Sequence, residues 1–177
     1  MIRGKKIGLR AVEQEDLNLL RDWRNIEEFR RNFREFRELN MAMQEKWFTT
    51  ISESRNDFMF VIERLKDKKP LGVCGLVYVN WIIRCADLSF YIGFENKYID
   101  QEGYAEEATR VLLNYAFGTL NLHKVWTELY EFDEKKVDFF TKKFHFKKDG
   151  TLRDNCFDAG QYWNSYIFSL LADEYLK

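Results

Sequence analysis

The chain has 177 residues, enough for one domain with a sizeable core and too few for two of ordinary size. Its 28 Lys and Arg against 29 Asp and Glu leave a formal charge of −1, which excludes a global field drawing it onto nucleic acid or an anionic membrane. An aromatic content of 17% supplies apolar surface for a packed core despite a charged fraction of 32%, and this excludes a disordered chain.

Cys74, Cys85 and Cys156 are odd in number and lie in apolar stretches, the pattern of reduced, buried thiols. Residues 1–6 are basic but lack the apolar run of a signal peptide, and no stretch is long and apolar enough to span a bilayer. The expectation is a cytoplasmic protein with neither nucleic acid nor membrane as a partner.

Along the chain, Ile7, Leu9 and Ala11 alternate with Gly8 and Arg10 as in a strand, and Leu17, Leu20, Trp23 and Ile26 then shift to helical spacing. Residues 29–39 are ambiguous. Phe29, Phe33 and Phe36 with Arg30, Arg31, Arg34 and Arg37 read either as a surface helix with a buried aromatic stripe or as a basic, aromatic cradle for an anion. A helix is predicted to start at Asn40 as N-cap. Residues 58–62, the turn cluster 66–70 and the apolar run 71–79 predict a hairpin, followed by a strand over 84–93. A polar loop then ends at Gly103, and Ala105, Ala108, Leu112, Tyr115 and Ala116 mark one face of a helix. Residues 123–130 alternate as a strand. Asp133 is an N-cap candidate for a helix with Val137, Phe140 and Phe144 on its core side. Two closing strands flank the turn Asp158-Ala159-Gly160-Gln161. There are no repeats or linkers, so residues 1–177 are read as a single α/β (α+β) domain on a mixed sheet.

The loop Asp100-Gln101-Glu102-Gly103-Tyr104-Ala105 carries the clearest chemical signal. Unpaired amides at a helix start suit a pyrophosphate, and Gly103 and Ala105 permit close approach, although Gly103 equally serves a simple turn before a core helix. No His, Cys or carboxylate cluster has metal-ligand spacing, so no metal is expected. There is no Gly-x-Ser-x-Gly turn and no Lys-Ser/Thr phosphate loop. One glycine rather than three disfavours a nicotinamide site.

The run Tyr91-Ile92-Gly93-Phe94 followed by Gly103-Tyr104-Ala105-Glu106-Glu107-Ala108 resembles the cofactor motif of the GNAT superfamily of N-acetyltransferases. Trp23-Arg24-Asn25, Gln44-Glu45-Lys46-Trp47-Phe48 and the tail from Gly160-Gln161-Tyr162 resemble its branch of ribosomal-protein N-terminal and nucleotide-amino-sugar acetyltransferases. The resemblance implies a twisted, mostly antiparallel mixed sheet with flanking helices, splayed between two parallel strands, here 84–93 and 123–130. It also implies an acetyl-CoA-dependent N-acetyltransferase whose co-substrate lies in the split. Its pantetheine would pair with Tyr91, Ile92 and Gly93, and its pyrophosphate would rest on Gln101, Glu102, Gly103, Tyr104 and Ala105. The sequence departs from the motif at Asp100 and Glu102, two carboxylates near a dianionic group. The phenol that protonates the leaving thiolate in many relatives falls at Phe140 or Thr141.

Attack of a neutral amine on a thioester needs positioning, a base and a polarised carbonyl. Glu128 and Asp87 on the two facing strands are candidate bases, and Tyr130 or Thr141 candidate proton donors, though surface solvation accounts equally for the carboxylates. The acceptor side is expected from Trp23, Arg24, Arg30, Arg31 and Trp163. The acceptor is a small-molecule amine, in the first reading a nucleotide-linked amino sugar, or alternatively a protein N-terminus; a non-catalytic CoA-binding module is the third reading. A monomer or homodimer is expected.

Overall fold

The computed structural model describes residues 1–176. The chain begins with β1 (Ile2–Arg3) and β2 (Ile7–Ala11), then α1 (Leu17–Asn25), the short α2 (Glu27–Arg30) and α3 (Met41–Glu53). Next come β3 (Phe58–Arg64), β4 (Lys69–Asn80) and β5 (Cys85–Ile92), α4 (Tyr104–Asn114) and β6 (Lys124–Tyr130). It closes with α5 (Glu134–Asp138), β7 (Lys147–Asp158), β8 (Gln161–Leu171) and α6 (Ala172–Tyr175). Both α4 and α5 run on into a wider π-turn, over Tyr115–Thr119 and Phe139–Lys143.

The strands form one eight-stranded sheet in the order β1-β2-β3-β4-β5-β6-β8-β7. Every neighbouring pair is antiparallel except β5 and β6, which run parallel through the α4 crossover. Their pairing covers only Cys85–Lys124, Ala86–Val125 and Asp87–Trp126, so beyond Asp87 the two strands diverge. This fork is the split expected between 84–93 and 123–130.

Strand alternation sends side chains to two cores. On one face Ala86, Leu88, Phe90 and Ile92 of β5 and Val125 and Leu129 of β6 pack against Ala108, Leu112 and Ala116 and against Phe139, Phe140 and Phe144. On the other, Val61, Val73 and Tyr91 pack beneath Leu17, Leu20, Trp23 and Phe29. Burying one such aliphatic or aromatic side chain stabilises the fold by about 1.5–3 kcal/mol, so both faces fasten the sheet to the helices that cover it. Cys74 and Cys85 are buried and Cys156 is half-buried.

The helix caps follow the sequence signals. Asn40 accepts from Met43 N–H at 2.9 Å, and Asp133 from Lys136 N–H at 3.2 Å. The ambiguous stretch resolves differently from either reading. Only Glu27–Arg30 is helical, and the chain then runs irregularly to Asn40. Asn25 closes this loop at its base, its amide donating to Leu39 O at 2.8 Å and accepting from Leu39 N–H at 2.7 Å. Phe29 is buried and Phe33 packs partly, but Phe36 is 78% exposed, so no aromatic stripe forms.

Candidate active site

The fork is lined by two carboxylates on the α1 side of the sheet. Asp87 is the last β5 residue paired with β6, and Glu128 lies two residues beyond its partner Trp126. Arg34, from the loop after α2, bridges them. Its guanidinium donates to Asp87 Oδ2 at 2.7 Å and lies 3.3 Å from Glu128 Oε2. The other Glu128 oxygen accepts from Ser165 Oγ at 2.6 Å and Asn155 Nδ2 at 2.8 Å. Burial pushes the Asp87 carboxyl up, with Arg34 opposing that shift. Such a site holds one cationic group between two carboxylates and keeps a buried oxygen able to take a proton.

The backbone expected to pair with pantetheine is engaged within the chain. Tyr91 pairs with Val73 of β4. Ile92 N–H donates to Tyr98 O and Tyr98 N–H to Ile92 O, each at 2.9 Å, while Gly93 N–H donates to Leu71 O and its carbonyl accepts from Asn96 N–H. Gly93 is small for a different reason: a Cβ there would lie 2.0 Å from the Trp23 ring. Beyond the end of the β5–β6 pairing the strand edge facing the fork is that of Leu88 and Phe90, and Leu88 O accepts from Thr127 Oγ1 at 3.3 Å.

The start of α4 binds an anion, and that anion is Asp100. Its Oδ2 accepts from Tyr104 N–H at 2.8 Å and its Oδ1 from Ala105 N–H at 2.5 Å. Gly103 adopts φ +86°, the left-handed region that favours glycine, with open space around its Cα. Glu102 pairs with the Lys97 ammonium, which with the Glu102 and Gln101 amides holds its carboxyl below the usual range. The fork edge thus fits an extended thioester arm. The amides fit a diphosphate only in exchange for Asp100, a correction to the expectation that they stand open.

Other expected residues have other partners. Arg31 pairs with Asp158 at 2.5 Å, Arg37 with Glu35 at 2.6 Å, and Arg30 lies 3.8 Å from Glu38, so the arginines do not converge into an anion cradle. Arg24 lies 3.9 Å over the Phe33 ring, Trp23 packs edge-on to Tyr91, and Trp163 Nε1 donates to Asp158 O at 3.1 Å. The Thr141 hydroxyl donates to Val137 O at 2.7 Å within its own helix. The Tyr130 phenol, raised by burial, belongs to a ring packed on Phe132.

Two residues of the site, Tyr98 and Lys136, escaped sequence reasoning. Tyr98 O–H donates to Asp133 Oδ2 at 2.6 Å in the interior. Lys136, 7% exposed, lies with its ammonium 4.6 Å from the Tyr98 ring centre. The one available signal is a lysine four residues, about one helical turn, before the buried Phe140 on an apolar helix face.

The class follows from this fork and from a match to a family model: residues 6–142 match the acetyltransferase (GNAT) domain. The chain belongs to the GNAT acetyltransferase family, and its reaction is acetyl transfer from acetyl-CoA to a primary amine. In sequence it is similar to the spermidine N(1)-acetyltransferase of Escherichia coli K12, 28% identical over 96% of this chain and 88% of that protein. It is also similar to an uncharacterised N-acetyltransferase, p20, of Bacillus licheniformis, 24% identical over 97% of this chain and 96% of that one. In structure it resembles the spermidine N-acetyltransferase of Vibrio cholerae solved with CoA and spermine, with TM-score 0.87 and 25% identity over 97% of this chain and 99% of that one. A dodecameric structure of the Vibrio enzyme superposes with TM-score 0.81 at 24% identity, over 97% of each chain.

Proposed function

We propose that the acceptor is a polyamine of the spermidine class, bound as a cation at the α1-side mouth of the fork and acetylated on a primary amine. The observation that carries this reading is the Asp87–Arg34–Glu128 bridge, in which a guanidinium on an irregular loop takes the place that a substrate ammonium would take between the two carboxylates. Glu128, fixed by Ser165 and Asn155, is the residue for orienting the amine, and Asp87 the one to receive its proton. The relatives named for spermidine support the same class. The paired state of Arg30, Arg31, Arg34 and Arg37 argues against the nucleotide-linked amino sugar, because a diphosphate would have to displace a carboxylate from each. By the same analogy assembly extends beyond a homodimer, which light scattering measures.

The test is release of CoA thiol from acetyl-CoA with spermidine, a nucleotide-linked amino sugar and a short peptide as acceptors. Spermidine is expected to give the highest kcat/KM, and Glu128→Gln to lower it by about tenfold to a hundredfold. Preference for the anionic sugar, or an unchanged Glu128→Gln variant, would overturn the assignment.

A further inference from the structure

Lys136 begins on one face of the sheet and ends on the other. Its helix packs through Phe139 and Phe140 into the core under α4, with Phe139 stacked on Phe90 of β5 at 5.7 Å. Its ammonium nitrogen reaches the rings of Tyr98, at 4.6 Å, and Phe33, at 5.4 Å, which pack with the opposite core. Phe90 lies beyond the last β5–β6 pair, and Asp87, the last paired β5 residue, acts on the amine, which sets the side chain near the open end of the fork.

Lys136 is 7% exposed, and its ammonium lies over the rings of Tyr98 and Phe33. The groups that face it are Asp133 at the start of its own helix, Asp87 on β5, Arg24 on α1 and the Tyr98 phenol, with Arg34 one step away on Asp87. Burial brings its pKa down to about 8, Arg24 adding to that shift and the two aspartates opposing it. Such an amine is neutral and nucleophilic at mildly alkaline pH, unlike a solvated lysine.

We propose that Lys136 is an internal acetyl acceptor, a self-modification site placed in the fork. The neutral amine attacks the thioester carbonyl carbon; the C–N bond forms, the C–S bond breaks, and the amine proton passes through Asp87 to the departing sulfur. The products are Nζ-acetylated Lys136 and CoA thiol. Modification by acetyl-CoA rests on the acetyltransferase reading above, whereas the nucleophilicity of Lys136 towards a thioester does not.

The experiment incubates the full chain with acetyl-CoA and, in parallel, with S-acetyl-N-acetylcysteamine, a thioester without the diphosphate. Peptide mass spectrometry follows acetylation of Lys136 and of the exposed Lys142 and Lys143. Lys136 is expected to acquire one acetyl group at least about tenfold faster than either, with a rate that rises with pH through about 8. Asp87→Asn should slow Lys136 and leave Lys142 unchanged, a split that general loosening of the fold would not give. Labelling by the small thioester alone would uphold the nucleophile and overturn the acetyl-CoA reading. Labelling of Lys136 no faster than Lys142 with both reagents would overturn the proposal.

Discussion

Gly93 shows how one residue type can serve two demands that a sequence does not separate. The motif resemblance implies that Gly93 offers its backbone to pantetheine, yet its φ is −88° and the space beside its Cα is taken by the indole of Trp23. Gly93→Ala therefore drives a methyl into an aromatic ring held by Tyr91, and overpacking of this kind costs about 1–3 kcal/mol. A urea titration followed by circular dichroism is expected to show that loss, and an unchanged midpoint would mean Trp23 has room to move. Asp100 is a similar case. The sequence placed a carboxylate beside the amide nest and made repulsion of a diphosphate the natural concern. In the structure the carboxylate is the nest's own ligand, a relation that depends on side-chain direction over four to five residues.

At the scale of elements, the order of strands and helices was legible because the periods were clean. The strand over 123–130, the hairpin 58–79 and the Asn40 and Asp133 caps all follow from alternation and cap chemistry. The two-residue β1 and the π-turns after α4 and α5 were not legible, since two residues carry no period and a π-turn differs from an α-turn only in hydrogen-bond register. The loop 31–40 was ambiguous because its arginines are specified by distant carboxylates: Asp158 on β7, Asp87 on β5 and Glu128 on β6. The entry to α1 is fastened in a comparable way. Arg10 on β2 makes two hydrogen bonds at 2.7 Å to Asp16 and one at 2.8 Å to Glu63 on β3. Burial acts to raise the Asp16 carboxyl, but the Arg10 hydrogen bonds and the Glu13 amide outweigh it and leave its pKa below the usual value. A depressed folded pKa contributes stability that is present above the unfolded value and is lost as pH falls through the folded one. Asp16→Asn should thus cost about 1–3 kcal/mol at neutral pH, and the difference from wild type should close as a series of thermal melts is taken to acid. A constant difference down to strongly acidic pH would show that Asp16 acts by packing alone.

At the scale of the whole molecule, two cores lie on opposite faces of one sheet that opens between β5 and β6. The parallel strands β5 and β6 diverge beyond Asp87, and three of the groups with displaced proton affinities, Asp87, Lys136 and Tyr98, gather near that point. The position of the fork was legible from the sequence as a split between two parallel strands. Its contents were not, because Lys136 and Tyr98 arrive from separate loops and helices and are fixed by contacts with no local sequence signature. On the proposed reading, acetyl-CoA enters this fork and its diphosphate takes the α4 amides from Asp100. The most direct test is calorimetric titration of acetyl-CoA into wild type and Asp100→Asn, which keeps a cap on α4 but removes the competing charge. Saturable binding by wild type, tightened in Asp100→Asn, is the predicted result; no saturable binding by either folded protein would contradict it.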